Sequence, residues 1–258
     1  MHILAVSNQK GGSTKTATTL GLASAASARG LRVLLVDLDS QANLSTGVGI
    51  DPLDCATTVN EVLMETANPV EGIVATTWDH VDLMVGSEAL ANRESDAAMD
   101  IQYRLRNALS ELGVREKWDL VLIDTPPFVG KLMANAMAAA DAVIVATDAS
   151  ADGARGVSKI VNSVQRARRS FNESLAIMTI VIGRREHTDE KEFRENEMRT
   201  TYGELVARNV IPKRAAVADA HGLATPIHRM RGKGAFTVTA AYKDLFDELD
   251  LASTSTKV

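Results

Sequence analysis

Gln9-Lys10-Gly11-Gly12-Ser13-Thr14-Lys15-Thr16 lies where an apolar run, Ile3–Ser7, gives way to a helical pattern. A glycine-rich turn between a strand and a helix presents backbone N–H groups that cradle phosphate oxygens. In that layout Lys15 brings a point charge to the phosphates and Thr16 a hydroxyl for Mg²⁺. The N-terminus of the helix they open adds about half a positive charge. A second chemistry-bearing group closes the run Val33-Leu34-Leu35-Val36 with Asp37-Leu38-Asp39-Ser40-Gln41. Two carboxylates flanking one residue at a strand's carboxyl end suit a metal-and-water site, because ligands of open α/β sheets collect at that edge. A third run, Leu120–Asp124, leads into Thr125-Pro126-Pro127, and its terminal carboxylate can hold Mg²⁺ directly or through water. An apolar run closing on Asp is common to α/β folds. Its place after the other two boxes gives it weight.

The phosphate turn departs from an ordinary P-loop in two ways: no glycine precedes Lys15-Thr16, and a second lysine, Lys10, stands five residues earlier. In both it resembles the deviant Walker A box, KGGxxKT, of the ParA/MinD family, and within it the short Soj-like partition ATPases. The resemblance continues through Asp37–Gln41, where the family reads DxDPQ, and through Asp124-Thr125-Pro126-Pro127. It extends to Val210-Ile211-Pro212-Lys213-Arg214, Asp219-Ala220-His221-Gly222, Thr225-Pro226-Ile227 and the run from His228 to Ala235. It is dense over 1–50 and 118–156 and looser over 51–117 and 157–209.

That resemblance implies a single three-layer P-loop NTPase domain of the α/β class, with ATP and Mg²⁺ as cofactors. Nucleotide contacts are then expected from Lys10, Gly11, Gly12, Ser13, Thr14, Lys15, Thr16 and Ala17, with Pro212 against the adenine. Thr16 and Asp124 are expected to hold Mg²⁺, with Asp37 supporting its environment. Catalysis falls to Lys15, to Asp39 orienting the attacking water, and to Lys10 reaching a partner's nucleotide across an ATP-sandwiched homodimer. Phosphoryl transfer to water needs positioning and charge neutralisation more than covalent chemistry. Slow turnover, suited to a switch, is the expectation. Asn43 to Gly47 would complete a first switch, and the segment from Asp124 to Ala136 a second.

Two positions break the family pattern. Ser13-Thr14 stands where Val-Gly is usual, and Ser40 where proline is usual. If position 14 required positive φ, a β-branched Thr there would cost about 1–2 kcal/mol, or roughly tenfold in affinity. The loop amides survive, so weakened or altered nucleotide binding is expected rather than its loss.

Charge is unevenly spread in this 258-residue chain of net charge −5: residues 151–235 hold 16 basic against 10 acidic residues, and the remainder 12 against 23. A basic third inside an acidic protein suits a polyanion. The family's basic side binds DNA without sequence preference, and a ParB-like centromere-binding partner stimulates hydrolysis and release. The candidates for DNA contact are Arg166, Arg168 and Arg169 on one helix, with Arg229, Arg231 and Lys233. Phosphate contacts of this kind make binding strongly salt-dependent. With aromatics at 4%, base stacking on a surface of rings is not expected.

Other function classes meet obstacles. A MinD-like membrane switch needs a Lys-rich amphipathic segment near the C-terminus, but Leu249-Asp250-Leu251-Ala252-Ser253-Thr254 is acidic, then polar. No membrane partner is expected. A subunit-bridging iron–sulfur cluster needs two cysteines per chain, and Cys55 is the sole one. A nucleotide-binding regulatory module with little hydrolysis stays open because of Ser13-Thr14 and Ser40. No apolar run reaches about 18 residues and no signal peptide is recognised at the start, so a cytoplasmic protein, nucleoid-associated when ATP-bound, is expected. The first strand begins at residue 2, so no N-terminal helix-turn-helix and no operator recognition are expected.

Elements must carry these residues to one place. Continuous apolar runs at Ile3–Ser7, Val33–Asp37, Val81–Val85, Leu120–Asp124, Ala142–Thr147 and Leu175–Ile182 read as strands covered on both faces. A weaker strand is expected near Leu205–Ile211. Helical patterns lie between them at Lys15–Arg29, Ile101–Leu112, Lys131–Ala140, Gly153–Phe171, Glu190–Tyr202 and Ala235–Leu251. Such alternation implies a mostly parallel sheet with right-handed crossovers. One domain over 1–251 is expected, with 252–258 as a frayed polar tail. The histidines His80, His187 and His221 lack ligand spacing and are read as surface or packing residues.

Overall fold

The computed structural model describes residues 1–9 and 14–252. Lys10, Gly11, Gly12, Ser13 and most of the expected polar tail lie outside the described residues. The strands are β1 (His2–Ser7), β2 (Val33–Asp37), β3 (Ile73–Ala75), β4 (Val81–Met84), β5 (Leu120–Asp124), β6 (Ala142–Asp148) and β7 (Ala176–Gly183). Up to Ala139 the helices are α1 (Lys15–Ser27), α2 (Asn43–Gly47), α3 (Val59–Leu63), α4 (Arg104–Glu111), α5 (Val114–Lys117) and α6 (Lys131–Ala139). Beyond it come α7 (Ala151–Ser170), α8 (Asp189–Tyr202), α9 (Ala215–Gly222) and α10 (Lys233–Glu248).

The strands form one sheet in the order β3-β4-β2-β5-β1-β6-β7, parallel except for β3. From β1 to β2 the chain moves one way along the sheet; from β4 through β5 and β6 to β7 it moves the other way. Right-handed crossovers then put α1 on one face and α4, α6 and α7 on the opposite face. The core divides accordingly. Leu105, Leu109, Leu132, Met133, Val157 and Ile160 pack under one face, and Leu20, Leu22, Val238, Leu245 and Phe246 under the other. Helix α1 is buried nearly all round because α10 covers its outer side. Its small residues permit that, and Tyr242 packs where a side chain on Gly21 would stand. The Tyr242 hydroxyl donates to Ala17 O at 2.9 Å.

The expected strand near Leu205–Ile211 does not form. Single bridges, Ile180 with Val206 and Arg185 with Pro212, fasten this segment to the β7 edge. Its polar residues Arg208 and Asn209 turn instead to Glu248, which accepts both their amides. Strand β3 and the short helices α2, α3 and α9 carry too few apolar repeats to be legible beforehand. Among the described residues no helix is long and apolar enough to cross a membrane.

Candidate nucleotide-binding site

Parallel pairing sets the depth of each carboxylate. Asp37 of β2 and Val6 of β1 are both register partners of Asp124 on β5, so three strands end side by side. β1 therefore ends beside Asp124, with Asp37 one strand further along the sheet. Lys15 opens α1 at 5% exposure. Burial lowers its pKa, opposed by the charges of Asp124 and Asp39. Thr16 donates from Oγ1 to Asp124 Oδ2 at 2.6 Å. Thr125, next in the chain, donates to Val6 O at 3.0 Å and holds the strand end in place.

Asp124 is fully buried, and burial together with the charge of Asp37 pushes its pKa up to about 8, against the Thr16 hydrogen bond and Lys15. Its Oδ1 has no hydrogen-bond partner among the described residues. An orphaned buried carboxylate oxygen beside a threonine hydroxyl fits a hard divalent cation. No group of three or more His, Cys, Asp or Glu among the described residues could hold a metal by itself. The donor set suits Mg²⁺, which takes one or two protein ligands and completes its shell with water and phosphate oxygens.

Asp37, expected to support the Mg²⁺ environment, faces protein groups. Its carboxylate is buried and committed: Oδ1 accepts the Asp39 amide at 3.1 Å, and Oδ2 accepts the Ser45 amide at 2.9 Å and hydroxyl at 2.8 Å. Burial, the largest influence, pushes its pKa up to about 6 against these bonds. Gly86 makes the packing possible, since a Cβ there would lie 2.7 Å from Asp37 Cγ. Asp37 thus holds α2 to the sheet and acts on Asp124 through its charge.

Asp39 is 8% exposed and accepts the Gln41 amide on Oδ1 at 3.0 Å, closing a tight turn. The turn passes Ala42 in the left-handed region, φ 50° and ψ 33°, before α2 begins. A Cβ in that conformation costs about 1–2 kcal/mol, partly offset by glycine's greater unfolded-state freedom. Ala42→Gly is expected to stabilise the protein by about 0.5–1 kcal/mol. Urea denaturation would show it, and an unchanged or lower midpoint would refute it.

The start of α6 is held from a distance. Glu94, in a 3-10 stretch over Glu88–Ser95, accepts the amides of Lys131 at 2.7 Å and Leu132 at 3.1 Å, capping α6. Gly130 leaves room for that carboxylate. Nothing in the local sequence signals this partner 37 residues away.

A pocket of about 750 Å³ opens beside these groups, lined by Thr14, Lys15, Thr16, Ala17, Asp39 and Pro212 among others. Every described nucleotide-contact residue expected from the sequence therefore borders one cavity. His221 also lines it and reaches Asn43 O with Nε2 at 2.9 Å, joining α9 to α2. Sequence reading placed His221 among surface or packing residues, although it lies in the Asp219–Gly222 segment that carries the family resemblance. Arg184, at φ 52° just after β7, is a further lining residue the sequence did not single out.

The expected DNA-contact residues are not brought together. Arg166, Arg168 and Arg169 sit on α7, which packs on one face of the sheet; Arg229, Arg231 and Lys233 border α10 on the other. Arg229 is paired with Asp79. On α7, however, Arg155, Lys159, Arg166 and Arg169 are all exposed at spacings of four, seven and three residues. They form one stripe about 21 Å long. Arg155, which pairs with Asp152, and Lys159 were not among the sequence candidates.

The chain matches the family described as an AAA domain over residues 1–177. It is 35% identical over 232 residues to the chromosome partitioning protein ParA of Caulobacter vibrioides, covering 88% of this chain and 86% of that protein. Identity to the sporulation initiation inhibitor protein Soj of Bacillus subtilis is 30% over 252 residues, covering 96% and 97% of the two chains. A solved structure of cobyrinic acid a,c-diamide synthase from Mycobacterium smegmatis, with bound ADP and magnesium, aligns with a TM-score of 0.81 at 28% identity. That alignment covers 96% of this chain and 93% of the mycobacterial one.

Proposed function

The chain belongs to the ParA/MinD family of ATPases, and from that premise we propose that it is a DNA-partitioning ATPase working as an ATP-dependent switch. ATP and Mg²⁺ bind at the pocket, and Lys10 joins two copies into a homodimer that holds DNA without sequence preference. Slow hydrolysis, stimulated by a ParB-like centromere-binding partner, releases it. The protein acts in the cytoplasm, on the nucleoid when ATP is bound, with residues 1–251 as one domain. The observation that carries this reading is the convergence of Lys15, Thr16, Asp39 and Asp124 at one edge of the sheet, with Asp124 Oδ1 left unpartnered among the described residues.

Each residue then has a task. Lys15 meets phosphate charge from a buried position, where a cation is worth more than in water. Thr16 and Asp124 would hold Mg²⁺, which supplies further positive charge to offset the phosphates. Asp39 orients the attacking water from the rim of the cleft. Asp37 keeps the turn carrying Asp39 against the strand ends. Pro212 and Ala17 line the same pocket, and Pro212 would lie against the adenine.

Sedimentation with ADP, with ATP–Mg²⁺, and with Lys10→Ala plus ATP–Mg²⁺ tests the switch. A shift to dimer with ATP alone, lost in the variant, supports it; a monomer under every condition sinks it. On DNA, the α7 stripe is the favoured surface, because Lys159, Arg166 and Arg169 project together beyond the Arg155–Asp152 pair, while Arg229 is engaged by Asp79. Replacing Arg166 and Arg169 by Ala is expected to weaken binding of every DNA sequence alike. The slope of log affinity against log salt should fall by about one for each phosphate that the variant no longer neutralises. An unchanged salt slope would remove α7 from the interface.

A further inference from the structure

Thr14 does not adopt the conformation that its departure from the family pattern led us to expect. Its φ is −77° and ψ 12°, so no left-handed strain arises at this position. The residue caps α1, with its carbonyl accepting the Thr18 amide at 2.7 Å. Its side chain is 3% exposed and is wedged between the ends of β6 and β7. Oγ1 donates to Thr147 O at 3.3 Å. On the other side lies Gly183, the last residue of β7. A Cβ on Gly183 would stand 2.5 Å from Thr14 Cγ2, 2.8 Å from its Cβ and 2.9 Å from Oγ1. Backbone conformation does not require a glycine at 183, which is not among the positive-φ glycines. Space does.

We infer that Thr14 and Gly183 form a size-matched pair in which Thr14 is a positioning residue for nucleotide, anchoring the entrance of α1 to the ends of β6 and β7. The inference rests on the nucleotide-binding reading above and deepens it. Lys15 and Thr16 follow Thr14 directly, so whatever fixes Thr14 fixes the cation and the hydroxyl that meet the phosphates. A glycine at 14 has no side chain to hold and gains backbone freedom. With threonine, the helix entrance is fastened to the ends of β6 and of the edge strand β7. The fastening also spans the pocket, because Gly183 leads into Arg184, and both line the same cavity as Thr14.

The test is a double-substitution cycle read by equilibrium binding of a fluorescent ADP with Mg²⁺. The proteins are the parent, Thr14→Gly, Gly183→Ala and the combined variant, with Thr14→Ser as the conservative control. Each is also melted without nucleotide. Thr14→Gly is expected to weaken ADP binding about tenfold, with Thr14→Ser, which keeps the hydroxyl, lying between it and the parent. Gly183→Ala, which displaces Thr14, is expected to weaken binding at least as much. In the combined variant the collision is gone, so it should bind more tightly than Gly183→Ala alone. The effects are then not multiplicative. Thr14→Gly binding like the parent, or effects that multiply, would overturn the pairing. So would affinity changes that merely follow loss of folded protein in the nucleotide-free melts. If Gly183→Ala does not fold, recovery of a folded, ADP-binding combined variant supports the pairing, and failure of both variants overturns it. A parent that binds no nucleotide would instead sink the ATPase reading on which the inference stands.

Discussion

Asp39→Asn is expected to cut ATP turnover by about two to four orders of magnitude while nucleotide binding stays within a few-fold of the parent. The asparagine keeps an acceptor for the Gln41 amide, now at 3.0 Å from Asp39 Oδ1, so the tight turn survives. What it loses is the charge and basicity that orient and polarise water. Asp39 is suited to that role because it alone of the three acids lines the open pocket; Asp37 and Asp124 are buried beneath it. Single-turnover hydrolysis measured beside an ATP-binding titration separates chemistry from affinity. Turnover within about threefold of the parent, less than one catalytic proton transfer is worth, would move the role to another group.

The second large effect concerns the two lysines. Lys15→Ala should weaken ATP–Mg²⁺ binding by about 100-fold or more, because a charge-assisted interaction in a buried setting disappears. Lys15 also feels the charges of Asp124 and Asp39, so its removal leaves acidic groups facing phosphate. Lys10→Ala should behave differently: one chain still binds nucleotide, but ATP no longer produces dimers. Nucleotide titration and sedimentation velocity on the same preparations read the two effects apart. Parent-like affinity in Lys15→Ala would contradict its phosphate role, and ATP-dependent dimers in Lys10→Ala would contradict the sandwich.

Much of this site was readable because its parts are local. A glycine-rich turn between strand and helix, and acids closing apolar runs, are features of a few consecutive residues. Their physical meaning does not depend on distant contacts. Thr14 shows where such reading falls short: its type suggested strain, yet φ at 14 is set by how the helix entrance meets β6 and β7. Asp37 is similar. Its spacing from Asp39 resembles a metal pair, while Ser45, eight residues on, claims one of its oxygens. The basic candidates share charge and sequence neighbourhood, but α7 packs on one face of the sheet and α10, which follows the last strand, on the other.

By itself, then, the sequence determined the strand–helix alternation, the sheet edge at which chemistry collects, and the order of the three boxes. These follow from residue periodicity and from glycine, lysine and aspartate at short range. Only the tertiary structure decided the register that sets Asp37 and Asp124 level, the burial that leaves Asp124 Oδ1 unpartnered among the described residues, and the pairing of Thr14 with Gly183. Those depend on contacts between residues far apart in the chain. Burial and van der Waals exclusion there are properties of the packed whole, which no short stretch of sequence encodes.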